Sequence, residues 1–277
     1  MSAAPELAEE VCALPLVRRM AALLDRDPGS FAVGDLLPRG WHVALFNPPT
    51  RQSQLRADGA AHLGVTLPDT GMPRLMMGGR RIDFIGDIPI GARVRRTSRA
   101  GAVTTKNGRS GHFALVDVEH RITVEDDEAP VLIETTSYVL REEVGRGHPK
   151  PPLMAKSAIP PADFSHTFLP DETMLFRYSA ITDNPHRIHY DLRYAQSEGY
   201  PALVVNGSLP TMLLLEMFRT RAGGEPAAWR SRNLAPIFCG APLTLTQTQM
   251  LSREGEHWTM RAHGPMGEVA LEAQAWR

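Results

Sequence analysis

Apolar residues recur at steps of three and four from Glu6 to Leu24: Leu7, Val11, Leu14, Val17, Met20, Leu23 and Leu24 fall on one helical face. This pattern predicts an N-terminal helix within residues 1–30, stopped by Asp27-Pro28-Gly29. Gly34 to Pro49 reads as irregular or extended, and Thr50 to Leu63 as a helix with Leu55, Ala60, Ala61 and Leu63 turned inward. After a turn-rich stretch from Leu67 to Arg74, the period changes to two. Arg81–Phe84, Arg93–Ser98, Phe113–Val124 and Val131–Leu140 alternate as strands of an antiparallel sheet do. Lys106 to Gly111 carries Asn107-Gly108, a pair suited to the positive φ of a hairpin turn.

Between Glu142 and Pro161 the density of glycine and proline opposes both helix and strand interiors, which marks residues 143–161 as a linker. The second half repeats the order of the first. Leu209 to Arg221 is a largely buried helix entered through Pro210 and ended by Gly223-Gly224. Leu243–Leu251, Trp258–Ala262 and Glu268–Trp276 are strands, with a turn at Gly264-Pro265 and Gly267. The predicted class is α+β: a central helix against an antiparallel sheet, twice, in domains 31–142 and 162–277.

Composition narrows the picture. At 277 residues, 43% hydrophobic and 22% charged, the chain is long enough for two packed cores. Its 30 basic and 31 acidic residues set up no global field toward nucleic acid or an anionic membrane. The apolar runs, such as Ala202–Val205 and Met212–Leu215, are far shorter than the ~20 residues a spanning helix needs. The acidic start lacks the features of a secretory signal, and Cys12 and Cys239 make no disulfide framework, so a reducing cytoplasm is the expected setting. Assembly into a homo-oligomer is compatible with these features.

Chemistry concentrates between Phe176 and Ala195. Asp183, His186 and His189 lie within seven positions, and Asn184-Pro185 makes a turn that can bring a carboxylate and an imidazole toward one point. Asp183 also suits an Asx turn or helix cap, His186 can brace the loop or carry a proton, and Asp191 can orient the helix that follows. Arg187 can grip a substrate carboxylate or sit in an internal ion pair.

The residues Asp183, Asn184, Pro185, His189, Asp191, Tyr194 and Ala195, followed by Gly199-Tyr200-Pro201 and Val204-Val205-Asn206-Gly207, resemble the motif of the MaoC-like hydratases and dehydratases of the hot-dog superfamily. Met77 to Phe84 and Lys106 to Gly111 look like the degenerate N-terminal half of its two-domain members. The resemblance implies a double hot-dog fold with the catalytic pair, Asp183 and His189, in the C-terminal half. It also implies an acyl-CoA thioester substrate and no metal or other cofactor. Asn184, His186 and Arg187 are the expected substrate contacts, and the backbone N–H of Gly207, beside a helix start, would receive the enolate oxygen. The family spacing from acid to histidine is five, whereas Asp183 to His189 is six. Aligning on His189 places Asn184 at the acid position. Asp183 is the preferred acid because a carboxylate exchanges a proton and an amide does not.

The expected reaction is addition of water to a short branched dicarboxylic enoyl-CoA, either itaconyl-CoA to citramalyl-CoA or mesaconyl-CoA hydration. A 3-hydroxyacyl-thioester dehydratase of fatty-acid metabolism and a non-catalytic thioester-binding module are the alternatives.

Overall fold

A computed structural model of the chain describes residues 5–61, 63–108, 111–142, 157–252 and 255–277. Its organising element is an antiparallel sheet of eleven strands. The first half contributes β1 (Glu6–Val11), β2 (Arg74–Phe84), β3 (Arg93–Ala100), β4 (Thr104–Gly108), β5 (Gly111–Val124) and β6 (Leu132–Arg141). The second half contributes β7 (Phe164–Phe168), β8 (Ala228–Asn233), β9 (Leu243–Ser252), β10 (Gly255–His263) and β11 (Val269–Trp276). The order β1-β3-β5-β6-β2 continues through β8-β11-β10-β9-β7, with β4 added against β5. The halves therefore join edge to edge, with Ile82 of β2 opposite Trp229 of β8.

The strands form where alternation demanded them. In β6, Leu132, Glu134 and Thr136 point inward and are buried, and in β5 Ala114, Val116, Val118, His120 and Ile122 do the same. The N-terminal expectation holds only from Leu14 onward. Residues Glu6–Val11 are a strand paired with β3, and the helix α1 is Leu14–Leu23. Pro15 is the reason: it is tolerated in the first turn of a helix, where its missing N–H costs nothing, and it would break a helix already under way. Cross-strand pairing of Glu9 with Arg95 at 2.9 Å suits the exposed face of β1.

The helix expected over Thr50 to Leu63 is absent among the described residues. A single 3-10 turn, Gln52–Gln54, is followed by a loop in which Gly59 donates to the Arg56 carbonyl and takes φ +82°. The hairpin expected at Lys106 to Gly111 forms, with Gly108 paired to Gly111, but Asn107 and Gly108 end β4 instead of making its turn, and the positive φ falls on Gly111, at +99°; Arg109 and Ser110 lie outside the described residues. So do residues 143–156, the bulk of the expected linker.

Three helices carry the second half: α2 (Glu172–Ile181), α3 (Leu192–Ser197) and α4 (Leu209–Phe218). The sequence reading assigns no element at β7, β8 or α2, and anticipates α3 only as the helix after Asp191. The α4 helix is buried on nearly every side, through Leu209, Met212, Leu214, Leu215, Met217 and Phe218, as expected for a helix that a sheet wraps. Phe218 meets Trp258 of β10 edge to face at 5.1 Å. The first half clasps the same helix: the Trp41 indole donates to Glu216 at 2.9 Å, and Gly40, at φ +96°, leaves room for Leu215 that a Cβ would fill. Among the described residues, no helix is long and apolar enough to cross a membrane.

The seam between halves is tight at Gly79, where an added Cβ would collide with the backbone carbonyl of Ser231. Gly79→Ala is expected to force β2 and β8 apart at a loss of about 2 kcal/mol, the ordinary scale of overpacking. A denaturant titration reads this as a lower midpoint, and an unchanged midpoint would show that the seam yields freely.

Candidate active site

The loop that follows α2 holds the residues singled out in the sequence, Asp183 to His189. Asp171 opens α2 by accepting the Met174 N–H at 2.7 Å. The helix ends with Thr182 at its cap and Asp183 in the left-handed region, φ +43°, while the Asn184 N–H returns to the Ser179 carbonyl at 2.9 Å. This is the glycine-type helix stop filled by aspartate, a residue that tolerates that conformation. Asp183 is exposed, and among the described residues its carboxylate has no side-chain partner. Asn184 is half-buried, and its side-chain oxygen accepts the His186 N–H at 3.3 Å.

A 3-10 turn, Arg187–His189, then carries His189 inward until only 6% of it is exposed. Its Nδ1 lies 2.7 Å from the carbonyl oxygen of Val204, an acceptor only, so Nδ1 holds the proton and Nε2 keeps its lone pair. Burial pushes the imidazole down to about 4, against the opposing effect of the Val204 carbonyl, and nearby His186 lowers it further. The ring is neutral at pH 7, with a basic nitrogen in the correct tautomer to take a proton from water.

The same shift makes stability depend on pH. The unfolded chain protonates His189 below about 6.5, whereas the folded one resists until about 4, so this contribution is complete above 6.5 and lost as pH falls through that window. Relative to His189→Gln, the parent should lose about 2–3 kcal/mol between pH 7 and 4.5. Parallel denaturation curves at the two pH values would contradict it.

The His186 ring stands edge to face with His189 at 5.7 Å, and its Nε2 lies 3.8 Å from Asp58 of the first half. Burial lowers its pKa while Asp58 opposes. Arg187 is committed elsewhere. Its Nε and Nη2 donate to Asp191 at 3.1 and 2.8 Å, its guanidinium lies 4.3 Å from the centre of the Tyr194 ring, and its backbone N–H donates to the Asp58 carbonyl. Asp191 also accepts the Tyr194 N–H at 3.0 Å, which caps α3 as the sequence suggested.

Gly207 lies just ahead of α4 with an exposed backbone, and Met77 of β2 stands over it, 3.1 Å from where a Cβ would be. The segment holding His189 and the segment leading to Gly207 are tied together directly, since Val204 receives the imidazole bond and donates its N–H to Ile188 at 3.0 Å.

The profile of the hydroxyacyl-thioester dehydratase type 2 family matches residues 40–239, which takes in this loop, α4 and most of the first half. A mesaconyl-C(4)-CoA hydratase of Chloroflexus aurantiacus is 35% identical over 271 residues, covering 97% of this chain and 93% of its own. The chain belongs to the hydroxyacyl-thioester dehydratase type 2 family. Solved structures agree on the fold. A MaoC-like dehydratase from Phytophthora capsici superposes with a TM-score of 0.70 at 16% identity, over 99% of this chain and 95% of its own. A Mycobacterium tuberculosis protein described as a double hot-dog fold gives 0.60 at 14% identity, over 99% and 95%. The architecture is the α+β double hot-dog, and this member of the family is a hydratase/dehydratase enzyme.

Two features of this dehydratase-family site were not foreseen. The first is the loop Arg56–Ala60, which docks on the Asp183–His189 loop from the other half: Gly59 lies so close to the Pro185 carbonyl that an added Cβ would sit 2.5 Å from it. The second is a buried cluster in the first half. Glu134 bonds His42 at 2.7 Å and Thr136 at 2.7 Å and pairs with Arg80 at 3.3 Å. Burial pushes the Glu134 carboxyl up, but Arg80 and His42 outweigh it and hold it well below the usual carboxylate range. A glutamate at an inward position of a regularly alternating strand was the signal available in the sequence.

Proposed function

We propose that the protein is an acyl-CoA hydratase that adds water across the double bond next to a thioester carbonyl. The observation that carries this reading is the His189 imidazole, buried, neutral and fixed by Val204 so that Nε2 keeps its lone pair for a water proton. Water gives a proton to Nε2 as its oxygen bonds the β-carbon, and charge moves onto the thioester oxygen. The N–H of Gly207, at the start of α4, is the proposed donor to that oxygen. The enolate then collapses and its α-carbon takes up a proton.

Asp183 is the proposed acid for that last step, passing to the α-carbon the proton that His189 took from water. Of the two carboxylates between Thr182 and Asp191, Asp191 is paired with Arg187, and Asp183 is without a side-chain partner among the described residues. Its exposure and left-handed backbone favour a second reading, in which Asp183 only closes α2, Asn184 holds the water, and His189 moves both protons.

For the substrate we propose a short, branched dicarboxylic enoyl-CoA of the mesaconyl-C4 or itaconyl type, supported by the 35% identity to the Chloroflexus enzyme along nearly the whole chain. Loss of enoyl-thioester absorbance with mesaconyl-C4-, itaconyl-, crotonyl- and longer enoyl-CoA tests it. Preference for a dicarboxylic substrate supports the assignment, preference for longer chains replaces it with the fatty-acid dehydratase, and no turnover on any of them removes the enzyme reading.

Of the two roles open to Arg187, carboxylate grip or internal ion pair, the second is favoured by its Nε and Nη2 donating to Asp191 and its face lying on Tyr194. Arg187→Lys loses the fork and the stack while keeping the charge, so the loop loosens. Turnover should fall by about fivefold on mesaconyl-C4-CoA and crotonyl-CoA alike. A selective loss on the dicarboxylic substrate would return Arg187 to the pocket.

A further inference from the structure

The half without the proposed catalytic loop contains a largely buried ion pair, Arg80 with Glu134, that the proposed chemistry leaves unused. Such pairs are expensive to desolvate, and well-packed apolar residues commonly serve stability as well or better, so its presence asks for another reason. The geometry supplies one. Glu134 holds the Nε side of the guanidinium at 3.3 Å, and Nη2 donates to the Ser208 hydroxyl at 3.1 Å. Ser208 follows Gly207 directly and caps α4 without bonding a backbone N–H of that helix. Arg80 also contacts the Met77 sulfur at 3.3 Å, and Met77 stands over Gly207. The far side of the cluster is fixed too: Glu134 is bonded to His42 and Thr136, so it cannot swing to follow the arginine outward.

We propose that Arg80 is a positioning residue for the oxyanion site: anchored by Glu134, it acts through Ser208 and Met77 to hold Gly207 and the start of α4 in place. Its charge is balanced by Glu134, so the guanidinium acts by holding Ser208 and Met77 in place. The non-catalytic half thus contributes to the reaction of the other half. A donor held in place at the developing oxyanion favours the enolate over the neutral ground state, so it raises kcat and leaves KM nearly alone. The inference rests on the hydratase reading above.

Removing Arg80 alone would strand a buried carboxylate, so the test uses Arg80→Met combined with Glu134→Gln, beside Arg80→Lys and Ser208→Ala. Each is assayed on mesaconyl-C4-CoA, or on the best thioester the parent turns over, with thermal melting of every variant. The double variant should lose about 10- to 100-fold in kcat, and Ser208→Ala about fivefold, with KM within about threefold of the parent. Arg80→Lys, which keeps a partner for Glu134 and an N–H donor, should recover most of the rate. Parent-like kcat in a folded double variant overturns the inference while the hydratase reading stands. Losses shared by Arg80→Lys and tracking the melting temperature reduce the pair to structure and overturn it as well. If the double variant does not fold, an unchanged kcat in Ser208→Ala is decisive against it. A parent inactive on every thioester overturns both readings.

Discussion

His189→Gln is expected to lower kcat for hydration by about a thousandfold, within the range that one positioned acid-base group supplies. Glutamine is near in size and can donate to the Val204 carbonyl, so the loop should keep its shape while the basic nitrogen disappears. The loss should fall on kcat with little change in KM, because the proton transfer belongs to the transition state. Melting above pH 6.5 should stay close to the parent, since the parent ring is neutral there. A variant that keeps a tenth or more of the parent kcat would show that His189 is a buried structural histidine.

Asp183→Asn comes next, at about a hundredfold if the carboxylate is the acid. Asparagine tolerates the left-handed backbone at φ +43°, so the helix stop is preserved and only the exchangeable proton is lost. Asn184→Ala should then cost less. The reverse order, with Asn184→Ala severe and Asp183→Asn mild, would establish that Asp183 only terminates α2 and that Asn184 positions the water. The exposure of Asp183 and the half-burial of Asn184 make this comparison informative whichever way it falls.

What could be read from the sequence was whatever has a local cause. β5 and β6 were legible because their side chains alternate, and α4 because its apolar run is bracketed by Pro210 and Gly223-Gly224. The loop from Asp183 to His189, the proposed catalytic loop, stood out in the sequence as a motif. β1 was misread because Leu7 and Val11, four apart, satisfy a helix as well as a strand edge; Pro15 should have decided it. The helix over Thr50 to Leu63 failed because this segment is held by contacts with the other half, at Pro185 and Arg187, and not by a face of its own.

The features that escaped notice depend on residues far apart in the chain. Arg80 reaches Glu134 across 54 positions and Ser208 across 128, and no spacing rule announces either. Arg187 was open to two readings on its chemistry, and the turn that sets it four residues before Asp191 gives it an internal partner. Among the described residues the first half has no central helix of its own, and its Gly40 and Trp41 pack on α4 of the other half.

The most direct test of the hydratase account is to run the reaction on mesaconyl-C4-CoA in heavy-oxygen water and weigh the products. The account predicts an intact CoA thioester heavier by one molecule of labelled water, and no such product with His189→Gln. Label appearing in a released carboxylate together with free CoA would make the protein a thioesterase. A thioester unchanged in mass, here and with every other enoyl-CoA offered, would contradict hydration altogether.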